Sequence, residues 1–317
     1  MMKRFLISID TEGDDLWSWK LGDEITTENA KYLPRFQELC NRFDFKPTYL
    51  TNYEMAMDSE FGAFAKELIK QGKCEVGMHL HAWNTPPEYN LPVRSDVEPA
   101  APYLIEYPKD IMEEKIKYMT ELLEKQFGKR PITHRAGRWA MNENYFELLS
   151  KYGYIADCSV TPGVSWKKAV GQSPDSRGSN YEDSSLYPHF DRVSKILEIP
   201  MTIRENHRIK KNPHEGIRKV IRNYYQAMRG QGKIWLRPNG RNLEDMLYLV
   251  DCIDRNSKDD YLMFMLHSSE FMPGGCQRFD TKEKVDSLYK DLEILFSKIA
   301  KRYEGMTIGE YALEKLK

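Results

Sequence analysis

The sequence lacks most of the features that would set it apart from ordinary globular enzymes. No apolar run approaches the roughly 20 residues of a membrane span. Met1-Met2-Lys3-Arg4 leads straight into a short apolar stretch without the pattern of a secretory signal. The five cysteines (Cys40, Cys74, Cys158, Cys252, Cys276) are odd in number and irregularly spaced, which argues against a disulfide framework. Lys and Arg total 47 against 48 Asp and Glu, a formal charge of −1, so there is no electrostatic case for nucleic acid or for an acidic membrane surface. No repeat of solenoid period and no low-complexity tract interrupts the chain. The expectation is one soluble, cytoplasmic domain over 1–317; nothing in the sequence fixes an oligomeric state.

What is present is a set of apolar runs, each ending in a charged or metal-binding group. Phe5 to Asp10 is mostly apolar and stops at Asp10-Thr11-Glu12-Gly13. Cys74 to Leu80 reads as a buried strand and carries His79 and His81 at its end. Residues i and i+2 of a strand share a face, so both imidazoles can reach one ion, and Asp10 and Glu12 are paired by the same alternation. Pro131 to Arg135 is a short strand running into the glycine turn Ala136-Gly137-Arg138-Trp139, and Tyr261 to Leu266 ends on His267.

Helical spacing appears between these runs. Glu28 to Phe43, Phe61 to Gln71, Asp110 to Phe127, Asn142 to Tyr152, His214 to Met228, Leu243 to Arg255 and Lys282 to Tyr303 are expected helices. Further strands are expected at Pro47–Thr51, Tyr154–Val160, Ile196–Ile203 and Lys233–Arg237. Alternating β and α elements call for parallel strands covered by helices. Seven or eight such units fit an α/β fold in the form of a closed or nearly closed (β/α) barrel better than an open sheet, with the active site at the carboxyl ends of the strands. Two long loops, 84–108 and 161–190, follow strand ends that carry site residues and read as binding loops.

The order of acidic strand end, Glu75-Val76-Gly77-Met78-His79, Arg135 turn, Asp157-Cys158-Ser159 and Leu266-His267 resembles the polysaccharide deacetylase, or NodB-homology, family. The resemblance runs from Phe5 to about Glu310. It implies a distorted barrel that removes acetyl groups from N-acetylated sugars with a divalent metal. Asp10 matches the family's base, whereas its adjacent aspartate ligand is replaced by Thr11 and the acid is displaced to Glu12. His79 matches the first histidine of the family's pair; Trp83 stands where the second would be, and His81 substitutes for it. Arg135 corresponds to the arginine that orients the base, although the family's prolines are absent, and His267 to the general acid. His79-Leu80-His81 followed by Trp83-Asn84-Thr85-Pro86-Pro87 is similar to deacetylases of surface-polysaccharide (lipopolysaccharide and O-antigen) gene clusters.

The chemistry also follows from the residues. Amide hydrolysis needs a nucleophile, a sink for oxyanion charge and a proton for the leaving amine. Two histidines and one carboxylate (His79, His81, Glu12) would hold a metal with open positions. Zinc is the default ion, and iron, cobalt or nickel also suit the set. Asp10 would take a proton from water, Arg135 would keep it ionised, and His267 would protonate the amine; Asp10 and Glu12 could exchange roles. Trp83, Asn84, Trp139 and Asp157 are the expected contacts to a carbohydrate substrate, with Arg237 or Asn239 at the rim. Structural alternatives stand beside each: turn caps for the acids, an ion pair for Arg135, a satisfied core histidine for His267. A glycosidase, an allantoinase-like amidohydrolase and a catalytically silent carbohydrate-binding protein are the rival functions.

Overall fold

In the computed structural model, which describes residues 2–20, 22–92, 102–208 and 232–317, the first strand, β1 (Lys3–Thr11), is the best-connected element. It pairs in parallel with β10 (Tyr261–His267) along one edge. Its other edge is shared: residues 3–6 pair with β11 (Tyr303–Met306) and residues 7–11 with β2 (Pro47–Thr51). The sheet continues through β3 (Glu75–Leu80), β4 (Thr133–Ala136), β5 (Ala156–Asp157) and β7 (Leu197–Glu198), all parallel, to the antiparallel β6 (His189–Phe190). The result is a curled, mostly parallel sheet forming a half-barrel surrounded by helices, the architecture expected from the β/α alternation.

Alternation along the strands builds two cores. Leu6, Leu50, Ala156, Met263 and Met265 fill the inside of the curl. Phe5, Ile7, Ile9, Tyr49, Met78, Leu262, Phe264 and Leu266 face outward and pack on the helices. These are α1 (Leu33–Arg42), α2 (Tyr53–Met57), α3 (Ser59–Lys70), α4 (Lys109–Phe127), α5 (Glu143–Lys151), α6 (Leu243–Arg255) and α7 (Lys282–Ile299). The floor is closed by α8 (Ile308–Lys315), whose Ile308, Tyr311 and Ala312 join the inner core. Its N-terminus is tied to buried Glu75, which accepts from the Gly309 N–H (2.9 Å), Thr48 and Thr133. No helix among the described residues is long and apolar enough to cross a membrane.

Several boundaries differ from the expected ones for identifiable reasons. The helix expected over Glu28–Phe43 begins as a 3-10 turn, Glu28–Tyr32, and becomes α-helical only at Leu33, where Pro34 occupies the first turn. The strand expected over Ile196–Ile203 is split around Pro200, which has no N–H for a ladder. Its second half, β8 (Ile203–Glu205), pairs antiparallel with β9 (Lys233–Trp235) in a separate two-stranded sheet. This pair is tied to β10, where the Met265 N–H donates to Leu236 O (3.2 Å) just beyond β9. Of Tyr154–Val160 only Ala156–Asp157 is regular strand. The helix expected to reach Tyr303 stops at Ile299, because Tyr303 begins β11. The helix expected at His214–Met228 lies outside the described residues.

Gly77 marks the tightest place inside the curl. A Cβ there would lie 2.4 Å from Thr133 Oγ1 and 2.9 Å from its carbonyl oxygen. Gly77→Ala should therefore destabilise the fold by about 1–3 kcal/mol through overpacking. Gly62→Ala, at a helical glycine with nothing within 4 Å of the new Cβ, should be neutral or stabilising. Thermal or denaturant melts check this; equal melting of the two variants would contradict the packing described.

Candidate metal centre and active site

Strand register assembles the site. Asp10 is the register partner of His267 and His79 that of Arg135, so four of the expected residues are placed by two pairs of parallel strands. His79 Nε2 lies 3.4 Å and His81 Nε2 2.8 Å from Glu12 Oε2, and one ligand atom of each of Glu12, His79 and His81 falls within 4.8 Å of the others. All three side chains are buried. His79 Nδ1 is 3.0 Å from the Arg135 carbonyl, which can only accept. Nδ1 therefore carries a proton, which leaves Nε2, facing Glu12, as the nitrogen an ion would use once its own proton is lost. The imidazoles stand at 90° with centroids 4.6 Å apart.

The electrostatics suit a cation. Burial alone would raise the Glu12 carboxyl, but His267, His79 and His81 hold it well below the usual carboxylate range. Burial pushes His81 down to about 4, so it is neutral at physiological pH. For His79 burial acts downward too, yet Asp10 and Glu12 outweigh it and raise its pKa. A neutral imidazole, a second imidazole whose proton an ion would displace and an ionised carboxylate form a fitting donor set for zinc or a similar divalent ion. His81 Nδ1 is buried without a hydrogen-bond partner. Gly137 packs so close to it that a Cβ would come within 2.8 Å of Nδ1 and 2.5 Å of Leu80 O.

Asp10 is held from the other side. Arg135, fully buried, donates from Nη1 to Asp10 Oδ1 (2.5 Å), from Nη2 to Ser8 Oγ (2.8 Å) and from Nε to Cys158 O (3.1 Å). Burial would raise the Asp10 carboxyl; Arg135, then His79 and His267, bring it below its ordinary value. Asp10 Oδ2 is turned toward His79 Nε2 (3.9 Å) and His267 Nε2 (3.8 Å).

His267 lies beside the cluster. Its Nε2 is 3.6 Å from Glu12 Oε1, so a single carboxylate separates it from the histidine pair. Nδ1 has two competing neighbours, Glu270 Oε2 at 3.2 Å and Arg237 Nη2 at 3.1 Å. A protonated Nδ1 donates to Glu270; a bare one accepts from Arg237. Glu270 is buried, which would raise it, but Arg237 and His267 hold it at about 2.

A cavity of about 420 Å³ opens over these groups and is lined by Asp10, Glu12, His79, His81, Trp83, Trp139 and His267. Of the expected substrate contacts, Trp83 touches His81 (centroids 4.1 Å) and stacks on Trp19 (5.3 Å, 25°), while Trp139 lies 4.9 Å from the Arg135 guanidinium. Asn84 is turned to Glu54 and lines a neighbouring cavity. Asp157 does not line the cavity: fully buried, it accepts from His134 Nδ1 (2.6 Å) and from the Ser159 N–H and hydroxyl (both 2.9 Å). Its strand-end position suggested a substrate contact, but these three donors make it a structural acceptor. Arg237 does line the cavity, as its position suggested; Asn239 does not.

Trp17, Trp19, Arg138 and Glu270 were not legible as site residues. Trp17 is half exposed with its ring edge-on to His267 (4.7 Å). Its signal is the pair Trp17-Ser18-Trp19 directly behind the acidic strand end. Arg138 and Trp139 take successive left-handed conformations (φ 56° and 63°), a backbone cost paid at the mouth of the cavity.

Two outcomes test the centre. Because His79 must give up a proton to bind an ion and its pKa is raised, zinc affinity should fall as the pH drops through the histidine range. The fall should be at least tenfold between about pH 8 and about pH 5.5, measured by chelator competition. Gly137→Ala should displace His81 and weaken zinc about 10- to 100-fold, read by elemental analysis after dialysis; full retention would contradict the packing.

No family model matches the chain, and no curated protein matches it in sequence. Solved structures do resemble it. A provisionally named polysaccharide deacetylase from Mycobacterium smegmatis superposes with a TM-score of 0.52 at 13% identity, over 99% of this chain and 91% of that one. A 4-alpha-glucanotransferase from Thermococcus litoralis gives 0.57 at 15% identity, over 99% of this chain but 41% of that one. A GH57-type branching enzyme from Pyrococcus horikoshii gives 0.53 at 12% identity, over 100% and 71%. At such identities the likeness is one of fold: this chain has the half-barrel architecture found in those proteins.

Proposed function

We propose that the protein is a metal-dependent hydrolase that removes an N-acetyl group from a sugar or glycan precursor. The observation that carries this is the convergence, in one cavity, of the Glu12–His79–His81 donor set, an ionised Asp10 and the imidazole of His267. A divalent ion in that set, zinc by default, supplies Lewis acidity toward water and the acyl oxygen. Asp10, oriented at Oδ1 by Arg135, accepts a proton at Oδ2. His267, with Glu270 at Nδ1, delivers a proton from Nε2 to the departing nitrogen. The fold shared with the mycobacterial deacetylase agrees with this assignment. The resemblance of the run from His79 to Pro87 to deacetylases of surface-polysaccharide gene clusters supports a role in surface-polysaccharide synthesis.

Glycan cleavage or transfer is the second reading, favoured by the glucanotransferase and branching-enzyme folds. It needs two carboxyl groups free to act on either side of a glycosidic bond. Asp10 keeps Oδ2 open, but Glu12 is engaged by His79 and His81, which leaves one free carboxyl of the pair where that chemistry needs two.

The purified protein should contain about one divalent ion per chain and release acetate from N-acetylated sugars. Asp10→Asn should lower turnover by about 10²- to 10⁴-fold and keep the ion, whereas Glu12→Gln should lose the ion. The opposite pattern would exchange the two roles. Absence of bound metal together with glycan cleavage would replace the deacetylase assignment. His267→Ala should slow the amide by about 10²- to 10⁴-fold and an activated anilide much less; equal losses would remove its role as acid.

A further inference from the structure

Charge is distributed unevenly around the mouth. On the side of Trp19 and Trp83, a cavity of about 490 Å³ is lined by Asp23 and Glu54 and, among the described residues, by no Lys or Arg. On the other side a cavity of about 310 Å³ shares Trp166 and Arg237 with the one over the centre. Its charged lining, among the described residues, is Lys233, Arg237 and Arg278 against Asp245. Asp245 is already paired with Arg208 (2.9 Å). The cations are less well matched. Lys233 pairs with Glu205, but Arg237 and Arg278 share one carboxylate, Glu270, at 3.3 to 3.4 Å. Arg237 Nε, moreover, is buried with no partner. Buried polar atoms are almost always satisfied, so an orphaned guanidinium N–H on a basic wall asks for an acceptor. Asn242 and Asp245 bring the start of α6 to the same wall, and the Asn242 side chain does not cap that helix, which leaves backbone donors for an anion.

Building on the deacetylase reading, we infer that this cavity holds a phosphate group carried by the same sugar whose acetamido group faces the metal centre, so that the substrate is a glycosyl phosphate or diphosphate and not a neutral sugar. Cations at three separate positions suit a tetrahedral group with several acceptor oxygens, whereas a planar carboxylate is matched by a single bidentate guanidinium. Arg237 places the phosphate on the sugar. Its Nη2 lies 3.1 Å from His267 Nδ1, and His267 is the proposed donor to the departing nitrogen. The anionic group therefore belongs beside the acetamido carbon, where a 2-acetamido sugar carries its anomeric phosphate. A sugar activated at that carbon has yet to be transferred, so deacetylation would precede glycosyl transfer. Nucleotide-linked and lipid-carrier-linked sugars share this chemistry.

The probes are N-acetylglucosamine and N-acetylglucosamine 1-phosphate, titrated calorimetrically into Asp10→Asn protein loaded with zinc. The phosphate should bind at least tenfold more tightly than the free sugar. Lys233→Ala and Arg278→Ala, each made in that background, should remove most of the advantage. Both side chains are partly exposed, and zinc content reports whether the centre stays intact. A phosphate seated on the zinc ion instead would keep its advantage in both variants; that result, or equal affinity for the two sugars, would overturn the inference. UDP-N-acetylglucosamine and a short-chain prenyl diphosphate N-acetylglucosamine tell the two sources apart, the true one binding more tightly than the 1-phosphate. Acetate release by the unsubstituted enzyme is scored separately. Phosphate preference in binding without acetate release would retain the cavity's role and remove the deacetylase reading; acetate release with no such preference would do the reverse.

Discussion

A fully buried guanidinium has to be balanced by its surroundings, and the mouth of this barrel is organised around that requirement. Arg135 is the bulkiest of the fully buried side chains. Removing either member of such an ion pair leaves an uncompensated charge that costs several kcal/mol, so its partners are held where its planar fork needs them. Those partners are Asp10, Ser8 and the carbonyl of Cys158. The same residue's backbone carbonyl fixes the tautomer of His79. One residue thus sets the ionisation of the proposed base through its side chain and the orientation of a proposed metal ligand through its main chain.

Proximity to cations sorts the buried carboxyl groups of the barrel into two kinds. Asp10, Glu12 and Glu270 lie among Arg135, Arg237 and the histidines, and all three are lowered against the pull of burial. Glu75 at the floor has two hydroxyls and an N–H as hydrogen-bond partners and Lys129 as its nearby cation, and burial still keeps it raised. Glu198 is pushed up by burial and by neighbouring Asp157, whose own proton is discouraged by His134. Asp10, Glu12 and Glu270 thus hold their charge at the mouth, where an ion and a substrate could use it, whereas Glu75 and Glu198 are discouraged from carrying theirs below.

Features that depend on strand alternation were legible in the sequence. An apolar run that stops at an acid or a histidine announces a strand end facing a common mouth, which is why Asp10, Glu12, His79, His81, Arg135 and His267 meet as expected. Asp157 satisfied the same pattern and lies one layer too deep, because β5 is only two residues long and its acid is consumed by His134 and Ser159. Trp17 and Trp19 come from an irregular segment with no periodicity to read. Arg138 depends on a left-handed backbone that no pattern of side chains encodes. The short β11 and α8 were hidden because the helical spacing before them runs on to Tyr303.

The two edges of β1 have a temporal consequence. Asp10 and Glu12 are translated near the beginning of this chain, whereas β10 and β11 emerge about 250 to 300 residues later. Until then one whole edge of β1 and half of the other have no partner, and His267 has not been made. A nascent chain on the ribosome can therefore carry both halves of the histidine pair and the base, yet have no working centre. β1 gains its last partners, and the proposed centre its last residue, only as those strands arrive.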